Sequence, residues 1–160
     1  MYKVFIDNKA IFFNLKTETE LLIQFKDHNF IEAAGGLVQS NQKFLFIKRQ
    51  DVWDIPKGKL EKNEEVEAGA LREIEEECGF KPGDLRINKK LMDTWHTYQH
   101  KGDRVLKKTH WFLIEELNSN KELKPQEEEG ITEVKYFGRE EFDIVLSNTY
   151  LSIADVISAL

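Results

Sequence analysis

The sequence predicts an α/β fold, an α/β/α sandwich on a mixed β-sheet with a small N-terminal extension. Runs in which apolar residues alternate, as in strands, are interleaved with a few helical segments. The length of 160 residues suffices for one sizeable core and is short for two domains. We therefore expect an extension over residues 1–30 that packs on a main domain over residues 31–160.

The extension is predicted to form a hairpin and then a helix. Apolar residues alternate over residues 2–6 and again over 11–13, with a turn-forming Asp-Asn pair between the two runs. A helix over residues 17–26 follows, because Thr17 is a suitable N-cap with Glu20 three residues later. This extension could cover a sheet edge, build a homodimer interface or wall a substrate cleft.

The main domain is predicted to contain five strands and three helices. The expected strands cover residues 31–39, 43–49, 86–98, 104–116 and 131–137. The expected helices cover residues 64–78, 139–146 and 149–159. A loop with Pro56 and Gly58 leads into the first helix, and polar residues 118–130 form another loop.

Composition narrows the class of protein. An apolar content of 41% and a charged content of 32% are typical of a soluble globular protein. The single cysteine excludes an intramolecular disulfide and fits a reducing compartment, so we expect a cytoplasmic protein. No run approaches 18 apolar residues, which argues against a membrane partner. The net charge of −6 argues against broad capture of nucleic acid.

The first helix of the main domain carries an unusual group of carboxylates. Glu73, Glu76 and Glu77 stand at positions i, i+3 and i+4 and share one arc of the helix. Like charges at this spacing destabilise a helix by a few tenths of a kcal/mol per pair. The group is either a solvated face or a cation site, and oxygen ligands alone favour Mg²⁺ or Mn²⁺ over Zn²⁺.

The spacing around these carboxylates resembles the signature box of the Nudix hydrolases. Gly58 is followed after five residues by Glu64, and after seven more by the continuous run from Arg72 to Phe80. Every fixed position of the box is filled. The resemblance covers roughly residues 31–140, and it implies the same mixed α/β sandwich that the residue pattern predicts.

The resemblance implies a divalent-metal-dependent pyrophosphohydrolase. Such an enzyme hydrolyses a nucleoside diphosphate linked to another moiety, by attack of water at phosphorus. The implied ligands of Mg²⁺ or Mn²⁺ are Glu73, Glu76 and Glu77, with the Gly58 carbonyl as a backbone contributor. We expect the adjacent Arg72 to orient a glutamate or to contact a phosphate.

Two further catalytic assignments stay open at this stage. Glu64 is the natural carboxylate partner of Arg72, since guanidinium and carboxylate form bidentate pairs. The general base is either Glu76 within the box or a glutamate of the late run 127–129, of which Glu129 is the candidate. That run could equally be a solvated loop.

The substrate is predicted from the segment that leads into the box. Lys57 and Lys59 flank Gly58, and a Lys-Gly pair after Pro56 resembles the diadenosine and diphosphoinositol polyphosphate branch of the family. This resemblance implies a dinucleoside polyphosphate as the expected substrate. The alternatives are a sanitiser of nucleoside triphosphates, a nucleotide-sugar or ADP-ribose hydrolase, an RNA 5′-pyrophosphohydrolase and a nucleotide-sensing module.

Other candidate substrate contacts follow from alternation along the strand over residues 104–116. Lys107 and Thr109 share one face and could contact phosphates, as could Lys57 and Lys59, although Lys57 could equally be an ordinary surface lysine. A platform for a base could come from aromatic residues that could equally be core: Trp53, Tyr98 and Trp111. The nearby histidines are interpreted as structural or surface residues: His96, His100 and His110.

Overall fold

A computed structural model of the protein describes residues 1–119 and 122–160. These residues form one nine-stranded mixed sheet with helices on both faces, which confirms the predicted fold class. The strands are β1 (Tyr2–Ile6), β2 (Lys9–Phe13), β3 (Asn29–Ser40), β4 (Lys43–Arg49), β5 (Val52–Asp54), β6 (Lys57–Lys59), β7 (Leu85–His100), β8 (Asp103–Glu116) and β9 (Ile131–Gly138). The helices are α1 (Glu18–Gln24), α2 (Val66–Cys78), α3 (Phe142–Leu146) and α4 (Leu151–Ser158).

The strand order is β2, β1, β7, β8, β3, β4 and β5, with β9 paired to β4 and β6 paired to β3. Strand β1 runs parallel to β7, and β3 runs parallel to β8. The remaining pairs are antiparallel. The extension therefore continues the main sheet, with β2 at its edge.

The sheet divides along β3. Near its end β3 pairs with β4 at Gln39 and Ser40, whereas its middle pairs with β6 over residues 33–35. A Cβ atom on Gly35 would lie 2.2 Å from the carbonyl oxygen of Pro56, so glycine permits this close approach. The sequence predicts the segment before the box as a loop, but this segment forms β5 and β6. Strand β5 pairs with β4, and β6 pairs with β3, where β3 and β4 have separated.

Apolar side chains bury each helix against the sheet. On one face, α2 packs through Ala70, Ile74 and Cys78. On the other face, α3 and α4 pack through Phe142, Val145, Ile153 and Val156. A smaller core joins α1 to the extension through Val4, Leu21 and Phe25. None of the described helices is long and apolar enough to cross a bilayer.

Helix α2 begins two residues later than predicted. Its N-cap, Glu65, is extended, and Glu64 lies before the helix. Gly79, at φ 83°, ends the helix in the left-handed conformation that glycine favours. The predicted loop over 118–130 includes a 3₁₀ turn at Glu127–Glu129, while its residues 120–121 lie outside the described part of the chain.

A charged network on the α1 and α2 side of the sheet joins three strands. His110 Nδ1 lies 3.0 Å from Asp93 Oδ1, and His110 Nε2 lies 2.7 Å from Glu32 Oε2. The bond to Asp93, and then that to Glu32, raises the pKa of His110 although burial opposes it. Burial also opposes ionisation of Asp93, yet bonds from His110 and Lys90 lower its pKa to about 2. Lys108 completes the network 3.8 Å from Asp93.

This network makes the stability of the protein depend on pH. Because the folded pKa of His110 is raised above its ordinary value of about 6.5, its stabilisation is complete below that pH and is lost as pH rises through the folded pKa. We expect His110→Gln to lower the free energy of unfolding by about 1–3 kcal/mol at pH 6 and by less at pH 9. Urea unfolding between pH 6 and 9 measures this, with the exposed His100→Gln as control. An equal loss for His110→Gln at both pH values would contradict the prediction.

Candidate active site

The Arg72 side chain binds the glutamate that precedes α2. Nε donates to Glu64 Oε1 at 2.6 Å, and Nη2 donates to Glu64 Oε2 at 3.0 Å, which is a bidentate pair. This pair raises the pKa of Arg72 and lowers the pKa of Glu64. Glu64 Oε2 also accepts from the backbone N–H of Glu61 at 2.8 Å. The segment between β6 and α2 is therefore fastened to the helix.

The same guanidinium group gathers two carboxylates of the helix. Arg72 Nη1 donates to Glu73 Oε1 at 2.8 Å and lies 3.4 Å from both carboxylate oxygens of Glu76. Arg72 Nη2 also donates to the Lys59 carbonyl at 3.1 Å, which fixes the helix against β6. One cation thus offsets the repulsion among carboxylates that the sequence places on one arc.

Two glycines make room for this arrangement. A Cβ atom on Gly58 would lie 2.0 Å from Glu73 Oε2, so the carboxylate rests against bare backbone of β6. A Cβ atom on Gly69 would lie 2.3 Å from a methyl carbon of Leu60 and 3.0 Å from Glu64 Oε2. The sequence gives no reason for a glycine inside α2, and this close packing supplies one.

Glu77 is the buried carboxylate of the box, with only 3% of its surface exposed. Arg49 Nη2 donates to Glu77 Oε1 at 2.6 Å, and the backbone N–H of Lys57 donates to Glu77 Oε2 at 3.0 Å. Burial raises the pKa of Glu77, although the charges of Lys57 and Arg49 act in the opposite direction. Glu77 thereby connects α2 with Arg49 of β4 and Lys57 of β6, where the sheet divides.

The box carboxylates have the chemistry of a divalent-cation site. Among the described residues, no group of three or more His, Cys, Asp or Glu side chains is gathered for a metal, and guanidinium groups contact the carboxylates instead. The donor set is nevertheless all oxygen, and the bare backbone at Gly58 forms a cradle beside Glu73. These features fit a hard ion such as Mg²⁺ or Mn²⁺.

A cavity of about 610 Å³ lies next to the box, on the α4 side of the sheet. Strands β7 and β8 contribute to its lining, as do the β1–β2 turn and α4. Arg49 and Lys57, which both bind Glu77, line it at the division in the sheet. The volume is in the range of small-molecule sites. The cavity therefore adjoins the box through Arg49 and Lys57.

Three cations line this cavity. Lys57 Nζ donates to Asp54 Oδ2 at 2.6 Å and is largely buried, so it is not an ordinary surface lysine. The Nε atom of Arg49 is buried without a hydrogen-bond partner among the described residues. Burial, and then the charge of Lys57, lowers the pKa of Lys107 to about 8. The cavity is suited to an anionic ligand.

Aromatic rings line the same cavity. Tyr98 stacks on His96, with ring centroids 5.6 Å apart at 28°, and the Lys107 ammonium lies 4.9 Å from the Tyr98 centroid. Burial, and then the charges of Lys107 and Lys57, lowers the pKa of His96 to about 4, so its ring is neutral near pH 7. From the sequence, His96 is interpreted as a structural or surface residue, whereas the structure places it in the cavity lining. Because His96 and Tyr98 are two residues apart on one strand, their side chains share one face, and this pattern could have identified His96.

Three predicted substrate contacts lie outside the cavity lining in this structure. Trp53 packs against Phe137 in the core, with centroids 4.9 Å apart. Thr109 shares the strand face of Lys107 but is fully buried. Lys59 is exposed, and its carbonyl accepts from Arg72. Alternation identifies a face of a strand but does not tell an open position from a covered one.

The late glutamates are exposed in the 3₁₀ turn at Glu127–Glu129. Gln126 N–H donates to the Glu77 carbonyl at 3.0 Å, which anchors the turn at the end of α2. A Cβ atom on Gly130 would lie 3.9 Å from Cγ of Arg49. The turn that carries Glu129 is therefore a neighbour of the Glu77 end of the box.

Several cavity residues were not singled out from the sequence. They come from distant parts of the chain: Asp7, Asn8, Arg49, Asp54, Gln99 and Tyr150. Their local sequence does not predict a common site, and their proximity depends on how β1, β4 and α4 meet in the folded chain.

The family model described as the NUDIX domain matches residues 29–159. An RNA pyrophosphohydrolase of Hydrogenovibrio crunogenus is 32% identical over 98 residues, which cover 54% of this chain and 59% of that protein. An ADP-ribose pyrophosphatase of Bacillus subtilis is 41% identical over 105 residues, which cover 61% of this chain and 52% of that protein. The chain spans about half the length of the curated relatives it matches.

Solved structures show the same fold. An Ap4A hydrolase of C. elegans, solved as a binary complex, has a TM-score of 0.60 and 20% identity, and the match covers 81% of this chain and 93% of that one. A NUDIX hydrolase of Nitrosomonas europaea has a TM-score of 0.62 and 23% identity, with 81% and 69% covered. At these identities the likeness concerns the fold alone.

The cradle at Gly58 gives a direct test of the cation site. In Gly58→Ala the new Cβ atom would overlap the Glu73 carboxylate and displace it. We expect Mg²⁺ affinity, measured by isothermal titration calorimetry, to weaken about tenfold or more. Circular dichroism and thermal unfolding check that the variant keeps its fold. Unchanged Mg²⁺ affinity in a folded variant would show that Glu73 does not hold the ion.

Proposed function

The chain belongs to the NUDIX family, and we propose that it is a divalent-metal-dependent pyrophosphohydrolase acting on a nucleoside diphosphate linked to another moiety. One observation carries the proposal. Arg49 and Lys57 line the cavity and also bind Glu77 of the box. Phosphates that these cations attract therefore arrive beside the carboxylates proposed to hold the metal.

Glu73, Glu76, Glu77 and the Gly58 carbonyl are the proposed ligands of Mg²⁺ or Mn²⁺. When bound, the ion offsets the charge of the pyrophosphate and lowers the pKa of a coordinated water. Arg72, held by Glu64, keeps the carboxylates in place. In the reaction the water oxygen bonds to phosphorus and the anhydride P–O bond breaks, so the bridging oxygen leaves on the second phosphate.

Glu76 is the proposed general base that receives the proton of the attacking water. Its side chain is 48% exposed, whereas that of Glu73 is 14% exposed and Glu77 is buried. Among these three carboxylates, Glu76 is therefore the most accessible to water. The alternative base is Glu129, which is exposed on the turn anchored to the end of α2.

A dinucleoside polyphosphate is the proposed substrate. Lys57 and Lys107 supply charge for phosphates beyond the scissile one, and Tyr98 supplies a face on which a base can stack. The similarity to an ADP-ribose pyrophosphatase makes ADP-ribose the second candidate. ADP-ribose, like a dinucleoside polyphosphate, carries its phosphates between two ribosyl groups. Both candidates therefore fit a cavity with cations and an aromatic face.

A substrate panel tests the proposed activity. The panel contains dinucleoside polyphosphates, ADP-ribose, nucleotide sugars, oxidised dNTPs and 5′-triphosphate RNA, each with and without Mg²⁺. We expect the highest kcat/KM on dinucleoside polyphosphates, and a loss of about a hundredfold or more in Glu76→Gln. Glu67→Gln is the matched control, because Glu67 lies nine residues away, on the opposite side of the helix.

Each outcome of the panel decides between hypotheses. Turnover of ADP-ribose or RNA with the same dependence on Glu76 would keep the enzyme class and replace the substrate. Equal activity in Glu76→Gln and Glu67→Gln would remove Glu76 from the mechanism and leave Glu129→Gln as the next variant. Tight Mg²⁺-dependent binding without any turnover would favour a nucleotide-sensing module.

The lowered pKa of Lys107 predicts a pH dependence of substrate capture. The ammonium is charged below about pH 8 and neutral above it, so attraction for phosphate falls as pH rises through that value. We expect kcat/KM, which reports the free enzyme, to decline above about pH 8 in the wild type. Lys107→Arg should move the decline to higher pH, because guanidinium stays charged. Identical pH profiles for wild type and Lys107→Arg would contradict this role.

A further inference from the structure

The N-terminal extension supplies part of the cavity wall. The NUDIX-domain model begins its match at residue 29, so residues 1–28 lie outside the matched segment. Nevertheless Phe5, Asp7 and Asn8 line the cavity. Strand β1 reaches this position by pairing with β7, which places Phe5 opposite His96. This wall is therefore a feature that the chain adds to the matched domain.

The wall is tied to the helix on the same side of the sheet. Asn8 Oδ1 accepts from the backbone N–H of Leu151, the first residue of α4, at 2.9 Å. Lys3 Nζ forms an ion pair with Asp155 on the same helix. Tyr150 and Ser152 beside this junction also line the cavity. The β1–β2 turn and the start of α4 are thus held as one unit.

The charges of the cavity differ between its two sides. Lys57 lies on β6, and four strand spacings of about 4.8 Å separate β6 from β1, so the lining spans on the order of 19 Å. Toward the box lie Arg49, Lys57 and Lys107, with Lys57 paired to the carboxylate of Asp54, whereas the turn after β1 contributes the exposed residue Asp7. A carboxylate accepts hydrogen bonds and repels phosphate.

We propose that Asp7 is a specificity-determining residue that binds the hydrogen-bond donors of a nucleoside while the phosphates lie against Lys57 and Lys107. The donors are the ribose hydroxyls or the amino group of the base. This inference rests on the proposed function and deepens it, because it selects ligands whose phosphate chain ends in a nucleoside over inorganic polyphosphates of similar charge.

Two ligands separate this role from a general electrostatic one. ADP carries both phosphates and nucleoside donors, whereas inorganic tripolyphosphate carries charge alone. Asp7→Asn removes one negative charge at a position with φ 50°, which asparagine tolerates, and Asp7→Gly removes the whole side chain. The matched control is Asn41→Gly, which makes a similar change at φ 48° in a turn outside this cavity.

We expect isothermal titration calorimetry on the full chain to show ADP affinity about tenfold weaker in Asp7→Gly, and weaker to a lesser degree in Asp7→Asn. Tripolyphosphate affinity should stay unchanged or increase, since a negative charge is lost. Asn41→Gly should bind both ligands as the wild type does. Wild-type binding of 2′,3′-dideoxy-ADP and of inosine diphosphate then identifies the donor as ribose hydroxyl or base amine.

Several results would overturn the proposal. One is tighter or unchanged binding of both ligands in the Asp7 variants, and another is an equal loss for both ligands. Failure of the wild type to bind ADP at millimolar concentration would also overturn it. Failure of the proposed function gives a different result. ADP binding that depends on Asp7, without turnover of any phosphoanhydride, would support the role of Asp7 and contradict the proposed hydrolase activity. Turnover of a phosphoanhydride, with ADP binding that does not depend on Asp7, would support the hydrolase activity and contradict the role of Asp7.

Discussion

The candidate site depends on the contacts that the guanidinium group of Arg72 makes. This group binds Glu64 in a bidentate pair, contacts Glu73 and Glu76, and reaches the carbonyl of Lys59. Without a cation at this point, carboxylates at helical spacing would repel one another, and the segment before α2 would lose its ion pair with the helix. The bare backbone at Gly58 and Gly69 leaves space for the same contacts, so the glycines and the arginine act together.

The division of the sheet at β3 explains how the box and the cavity come into contact. Helix α2 and the cavity lie on opposite faces of the sheet, which would ordinarily separate them. Where β3 leaves β4 for β6, Arg49 and the backbone of Lys57 reach Glu77 from the cavity side. A buried carboxylate with two such partners is stabilised, whereas an unpaired one would be costly. The opening in the sheet is therefore filled by charge pairs and leads to a cavity whose cations suit an anionic ligand.

The sequence predicted what is local and periodic, and it missed what depends on distant contacts. The hairpin, the helices and most strands follow from alternation and capping, and the family resemblance follows from fixed spacing within one short stretch. Alternation placed Lys107 on the correct face but could not tell that Thr109 is covered there. The local sequence around Asp7 and Arg49 does not predict their place in one cavity, because parallel pairing of β1 with β7 and the division at β3 bring them together.

We propose that the Arg72-centred carboxylates hold a divalent ion at the end of the cavity, with the phosphates of the substrate inside it. A crystal structure with Mn²⁺ and a non-hydrolysable dinucleoside polyphosphate tests this most directly, because anomalous scattering locates the metal independently of the ligand. We predict Mn²⁺ bound by Glu73, Glu76 and Glu77, phosphates beside Arg49 and Lys57, and no displacement of Arg72 from Glu64. Mn²⁺ bound away from these carboxylates, or phosphates outside the cavity, would contradict this arrangement of metal and substrate.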